Sequence, residues 1–255
     1  MIQNFDRKDA FLTVKQAASV LNLSVPTIKN YIYSGKLKSV KTPGGHHRIR
    51  MSDLSASVGI NLQEFVLNKP VLEVISGLIN VIERREAFNQ GHAESVARSS
   101  LDVAEELQFS DSQKKDLQLA ALLHDIGKVN IEERILNKST SLTGEEFSTI
   151  KKHPEMGEGI VQSIAPLKRL SLIIRQHHER FDGEGYPDSL PGRDIQKEAR
   201  IIAVAEAFDV MTQQKPYRKA IPQEAAFAEL KRGANTQFDP EIVEIFLKLQ
   251  KKRSG

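Results

Sequence analysis

The chain has 255 residues, a formal net charge of +3, 40% hydrophobic residues and no cysteine, which is the composition of a soluble globular protein with neither disulfides nor thiolate metal ligands. No apolar run approaches the roughly 20 residues that a membrane-spanning helix needs. Residues 1–7 lack the charged-then-apolar layout of a signal peptide, so no membrane role and a cytoplasmic location are expected.

The charge is uneven. Residues 1–56 hold nine Lys or Arg against three Asp and no Glu, net +6, which leaves residues 57–255 at −3. A small basic module therefore precedes a larger, mildly acidic one, and the expected domains are 1–56, a connector over 57–68, and 69–255.

Taken in order, the basic module reads as helix, turn, helix, wing. Thr13 with Gln16 forms a capping-box pattern that opens a short helix with Ala17, Ala18 and Leu21 inward. Ser24 can cap the next helix, Pro26 suits its first turn, and Ile28, Tyr31 and Ile32 give an i, i+3, i+4 apolar stripe ending at Gly35. The period then changes to two, with short strands expected over residues 36–41 and 48–51, joined by Pro43-Gly44-Gly45-His46. Ser52-Asp53 can cap a brief third helix, and residues 55–61 are a polar connector. No sustained heptad run follows, so a homodimer would have to form through the connector helices or the second domain.

Phe11 to Ala18 and Thr42-Pro43-Gly44-Gly45-His46-His47-Arg48 resemble the MerR and excisionase type of DNA-binding domain. That resemblance implies double-stranded DNA as a partner. It puts Pro26, Thr27, Lys29, Asn30 and Tyr31 on or near the base-reading helix, and Lys38, Lys41, His46, His47, Arg48 and Arg50 toward the phosphates. A Gly-Gly turn between basic strands offers His46 and His47 no carboxylate or thiolate partner, so they belong to the wing rather than to a metal.

The second domain is helix after helix. Asn68-Lys69-Pro70 starts one whose Val71, Val74, Ile75, Leu78, Ile79 and Ile82 share a face. Further helical runs follow His92, span Gln113 to Leu123, Glu145 to Lys152 and Leu167 to Gln176, and cover Ile201 to Met211. The loop from Phe181 to Gly192 is too rich in glycine and proline for regular structure.

Its chemistry gathers at helix ends. His124-Asp125 closes one apolar run and His177-His178 another; with His92 and His153 these account for five of the seven histidines. Adjacent residues on a helix point about 100° apart, so one His-Asp pair can straddle two ions with the carboxylate between them. Imidazole and carboxylate ligands suit Fe, Mn, Zn or Ni. Two such cations clamp a phosphodiester and activate water for attack on phosphorus.

His124-Asp125-Ile126-Gly127-Lys128, Lys152-His153-Pro154 and the run His177-His178-Glu179-Arg180-Phe181-Asp182-Gly183-Glu184-Gly185-Tyr186-Pro187 resemble, in order and spacing, the HD-GYP subgroup of HD-superfamily phosphohydrolases. The resemblance runs from about Lys69 to Phe246 and implies an all-helical domain holding two divalent ions, Fe or Mn. By matching positions, His92, His124, Asp125 and Asp209 would hold one ion, and Asp125 would bridge to a second held by His153, His177 and His178. Asp125 and Lys128 would be the catalytic pair, with Lys128 neutralising phosphate or aiding proton transfer at the leaving oxygen. Lys215 and Arg218 would contact substrate phosphates, and Tyr186 would border the pocket. The implied substrate is cyclic di-GMP, opened to pGpG or degraded to GMP, or a mixed cyclic dinucleotide.

Some positions depart from that pattern: Ala93, Ser95, Glu206 and Gln214, none expected to be a ligand of the two-metal site. Phe88 stands where some members carry a Glu for a third ion, so two ions are expected. The expected fold is thus mainly α, a small winged helix-turn-helix domain followed by an all-helical domain. The expected function is DNA-linked cyclic-dinucleotide hydrolysis, with a nucleotide-sensing transcription regulator as the alternative.

Overall fold

The computed structural model of the chain describes residues 11–20, 24–50, 53, 75, 77, 79–86, 89–213 and 220–254. The chain separates into two compact units, residues 1–71 and 72–255.

In the first unit, β1 (Phe11–Thr13) runs straight into α1 (Val14–Val20). Thr13 caps that helix: its Oγ1 accepts from Gln16 N at 3.1 Å, and Gln16 Oε1 accepts from Thr13 N at 2.9 Å. Ser24 caps α2 (Val25–Tyr33), accepting from Thr27 N at 3.2 Å, with Pro26 in the first turn. β2 (Val40–Lys41) and β3 (His47–Arg50) form the expected hairpin, closed by Thr42 N donating to His46 O at 2.9 Å.

β1 pairs with the other side of β3, giving an antiparallel sheet of order β1-β3-β2 with Leu12 opposite Ile49. Three residues are too few to display a two-residue period, which is why β1 is absent from the sequence expectations. Side chains alternate across a strand, so Ile49 turns inward to a core of Ala17, Ala18, Ile28 and Leu37, with Tyr31 and Ile32 packed against it. The connector over 57–68, the helix start at 68–70 and most of the brief third helix lie outside the described residues; Asp53 is helical.

The second unit is built from α3 (His92–Glu106), α4 (Asp111–Leu123), α5 (Glu133–Leu136), α6 (Gly144–Ile150), α7 (His153–Gln162), α8 (Ser171–Gln176), α9 (Lys197–Thr212), α10 (Gln223–Arg232) and α11 (Pro240–Ser254). Its described residues form no strand, only isolated bridges at Asp182–Pro191 and Ala234–Phe238. α3 packs on α4, α9 and α11, while α7 packs on α8 and on a 3-10 turn, Ile126–Asn130.

Local chemistry explains where the helix ends fall. Ser110 and Gln113 form a reciprocal capping box that starts α4, and Leu117 and Leu119–Leu123 are buried, so the C-terminal half of α4 is surrounded by core and its end is delivered inside. Gln176 Oε1 accepts from Gln196 N at 2.8 Å, joining the end of α8 to the start of α9. A Cβ on Gly127 would lie 2.0 Å from the backbone oxygen of His153, so only glycine lets the 3-10 turn close on α7. These contacts bring the ends of α4, α7 and α8 to one point beside α9.

Candidate metal centre

His92 opens α3, His124 follows α4, His153 opens α7, and His177-His178 follow α8. Three of these rings are oriented by the backbone. His124, His153 and His177 donate Nδ1–H to the carbonyls of Ala121, Ile150 and Ile174 at 2.7, 2.8 and 2.6 Å. In a neutral ring each bond sets the proton on Nδ1 and leaves the Nε2 lone pair free, the state of His153 and His177 at neutral pH. Nε2 of His153 and Nε2 of His177 then face each other at 3.1 Å in a buried site. Two acceptor lone pairs at that distance repel unless a shared cation lies between them. His124 Nε2 is also buried without a hydrogen-bond partner among the described residues. The donor set therefore fits divalent metal.

The ligand atoms of His153, His177 and His178 lie within 4.8 Å of one another, and so do those of His92, His124 and Glu206. Asp125 sits between the two groups, with Oδ1 3.2 Å from His153 Nε2 and Oδ2 3.4 Å from His124 Nε2. Lys128 Nζ approaches Asp125 Oδ2 at 2.7 Å and Glu86 Oε2 at 3.4 Å.

Electrostatics divide the groups. Burial, reinforced by neighbouring imidazoles, holds His177 well below the ordinary imidazole range. Burial likewise lowers His178 and brings His153 down to about 4. These three imidazoles are neutral at neutral pH. His124 moves the other way, because burial is outweighed by the carboxylates of Asp125 and Glu206, and its pKa rises to about 9, so a cation bound there would displace the Nε2 proton. Burial opposes the charge on Asp125, but Lys128 and His124 hold it well below the usual carboxylate range. Burial also opposes the charge on Lys128, yet Asp125 and Glu86 raise its pKa.

The structure departs from the expected ligand set at one point. Asp209 lies behind His92, with Oδ2 2.6 Å from His92 Nδ1, and is in neither group. That contact orients the ring and leaves its Nε2 directed forward. Glu206, expected to stand outside the site, joins His92 and His124. The two acids are three positions apart on α9 and share a face, so spacing could not say which reaches the centre; the signal was a second carboxylate one turn before Asp209.

Tyr186 stacks on His178 with ring centroids 4.9 Å apart, and Lys151 Nζ lies 5.0 Å from the Tyr186 ring centre. Its loop is clamped by buried Glu179, which accepts from Asp188 N at 2.6 Å and Leu190 N at 3.0 Å. A Cβ on Gly185 would fall 2.3 Å from Arg180 N, so glycine is required there. The roles of Glu179 and Glu86 were not expected, because a clamp or a pairing across the fold leaves no spacing in sequence. A cavity of about 310 Å³ adjoins His177, His178 and Glu206. Another, of about 500 Å³, is lined by Lys128, Glu86, Ser139, Thr140 and Leu142. Lys215, Arg218, Gln214 and Phe88 lie outside the described residues.

In the first unit, Lys29, Asn30, Lys38, Lys41, His46 and Arg50 are exposed, and Thr27 and Arg48 half-buried. Tyr31 packs against the core, and His47 is anchored by Ser39, whose Oγ is 2.7 Å from its Nδ1. Lys15, Lys29, His46, His47 and Arg48 line one groove with exposed Tyr33; among its lining residues there is no carboxylate. Lys15 and Tyr33 were not among the expected DNA contacts.

Fold and site together define a helical protein with adjoining histidine and carboxylate groups able to hold metal. A family model described as HD domain matches residues 77–242, and one described as helix-turn-helix domain matches residues 11–58. The chain belongs to the HD domain family. A cyclic di-GMP phosphodiesterase of Thermotoga maritima is 41% identical over 184 residues, covering 71% of this chain and 50% of that protein. The 3'3'-cGAMP-specific phosphodiesterase 3 of Vibrio cholerae is 34% identical over 168 residues, covering 66% of this chain and 36% of that protein. The chain thus spans half or less of the length of these curated relatives. Among solved structures, Bd1817, an HDG"Y"P protein from Bdellovibrio bacteriovorus, superposes with a TM-score of 0.55 at 20% identity, covering 89% of this chain and 78% of that one, a likeness of fold. No helix among the described residues is long and apolar enough to cross a membrane.

Proposed function

We propose that this protein is a metal-dependent phosphodiesterase of the HD-GYP type that hydrolyses a cyclic dinucleotide, cyclic di-GMP foremost, to pGpG or GMP. Its residues 1–56 form a MerR or excisionase-type module that binds double-stranded DNA in the cytoplasm, joined by a connector over 57–68 to the catalytic domain, 69–255. The observation that carries the enzymatic reading is the facing pair of Nε2 atoms on His153 and His177, 3.1 Å apart, with Asp125 beside them.

Two divalent ions, Fe or Mn, fit this donor set: His92, His124 and Glu206 would hold one, and His153, His177 and His178 the other, with Asp125 between them. Such ions supply Lewis acidity, drawing charge from phosphoryl oxygens and making water nucleophilic near neutral pH. Asp209 orients His92. Lys128 faces the cavity of about 500 Å³ as a positive charge for the phosphodiester, or to aid proton transfer at the leaving oxygen. Tyr186 walls the site beside His178, and Lys215 and Arg218 would take the remaining phosphate charge.

The names of the Thermotoga and Vibrio relatives support a cyclic dinucleotide as substrate. Full-length protein loaded with Mn(II) or Fe(II) is expected to linearise cyclic di-GMP, with products separated by chromatography. Turnover that survives chelation, or no turnover across a panel including 3'3'-cGAMP, overturns the reading. The helix-turn-helix match favours a second reading, a regulator that senses the nucleotide with little or no hydrolysis. Tight nucleotide binding without turnover, together with nucleotide-dependent DNA affinity, would select it.

A further inference from the structure

We infer that Glu86 is the positioning residue for Lys128, holding its ammonium at the wall between Asp125 and the cavity of about 500 Å³. The inference rests on the proposed phosphodiesterase reading and adds a residue to it. A lysine ends a flexible four-carbon stem, and one partner does not define its direction. Lys128 has two: Asp125 Oδ2 at 2.7 Å on the centre side and Glu86 Oε2 at 3.4 Å on the other, with all three side chains at most 17% exposed.

The neighbouring residue registers this arrangement. Arg85 donates from Nη1 to Val129 O at 2.8 Å, from Nη2 to Ile131 O at 3.0 Å and from Nε to Glu133 Oε1 at 3.1 Å. Asn137 Nδ2 donates back to Arg85 O at 2.7 Å. The backbone just after Lys128 is therefore tied to the backbone just before Glu86. Glu86 belongs to neither group of metal-ligating atoms, so its carboxylate is free to serve the cation. A carboxylate at the edge of a phosphate cavity would repel substrate on its own. Here it fixes where the opposing positive charge stands.

The test uses full-length, metal-loaded Glu86→Gln, Glu86→Asp, Lys128→Ala and the Glu86→Gln/Lys128→Ala double variant. Misplacing a group by about 1 Å can cost about 100-fold in rate, so Glu86→Gln is expected to lower kcat about 10- to 100-fold with little change in KM. Ion content should stay unchanged, and Glu86→Asp should recover part of the loss. With Lys128 already removed, Glu86→Gln should cost nothing further. Calorimetric titration with inorganic phosphate gives a readout independent of turnover, and Glu86→Gln should weaken it. Full additivity with Lys128→Ala, loss of an ion, or tighter phosphate binding overturns the assignment. Wild-type protein that binds phosphate but hydrolyses nothing sinks the enzymatic reading and leaves Glu86 judged on phosphate affinity. Wild-type protein that does neither overturns both.

Discussion

A histidine that reaches back to the carbonyl three residues earlier has its tautomer chosen before any ligand arrives. His124, His153 and His177 all do so, and the Nε2 atoms of His153 and His177 meet at 3.1 Å. The acids around them divide by what they touch. Glu206 shares a group with His92 and His124, whereas Asp209 contacts His92 Nδ1. Glu206→Ala is therefore expected to remove one of two ions by elemental analysis. Asp209→Asn should keep both but weaken binding about 10- to 100-fold, the usual cost of losing an outer partner. The reverse ranking would make Asp209 the ligand. Asp125→Ala should lose both ions and all hydrolysis while DNA binding persists; turnover in a metal-poor Asp125→Ala preparation would remove the two-metal mechanism. Two ions per chain is itself a prediction, and three tightly bound ions in reconstituted protein would contradict it.

Helix ends and turns are held to the centre by contacts that tolerate little change. Gly127 lets the Ile126–Asn130 turn meet α7, and a methyl group there would collide with the carbonyl of His153. Backbone cannot swing aside as a side chain does, so Gly127→Ala is expected to destabilise the second unit by about 1–3 kcal/mol or more and to weaken metal binding with it. Thermal unfolding of metal-free and metal-loaded protein measures both effects, and an unchanged midpoint would mean that the turn relaxes freely. The loop bearing Tyr186 depends similarly on Glu179, whose carboxylate accepts two backbone N–H groups. Helices α3, α4, α6, α8 and α9 were legible in the apolar periodicity, and the Thr13 and Ser24 caps and the wing turn in local residue type, whereas α5, α7, α10 and α11 were not among the expected runs. Strand β1 and the Glu179 clamp were not legible either, since one is too short to have a period and the other pairs groups that turn toward each other only in the folded loop.

At the scale of the whole molecule, charge separates the two units, residues 1–56 carrying net +6 and residues 57–255 net −3. The basic face of the first unit should bind duplex DNA with an affinity that falls steeply as salt rises, because phosphate neutralisation releases counterions. Lys29 and Arg48 line its groove, so replacing each by Ala in the full chain should lower the salt slope by about 1 and weaken all sequences alike. An unchanged slope in a filter-binding or anisotropy titration would remove the groove from the interface. Tyr31, by contrast, packs inward, and its substitution should cost stability before it alters sequence preference.

The sequence by itself determined the order of the units, the helical class and the histidine positions, because periodicity, capping and charge are local properties written along the chain. It also made His124-Asp125 the centre, since an apolar run that ends in ligand residues must deliver them to a core. Only the tertiary structure set Glu206 with His92 and His124 and Asp209 behind His92, paired Lys128 with Glu86, and turned Tyr186 onto His178. Each of those outcomes depends on which face of one element meets another, and sequence spacing defines a face without saying what it meets.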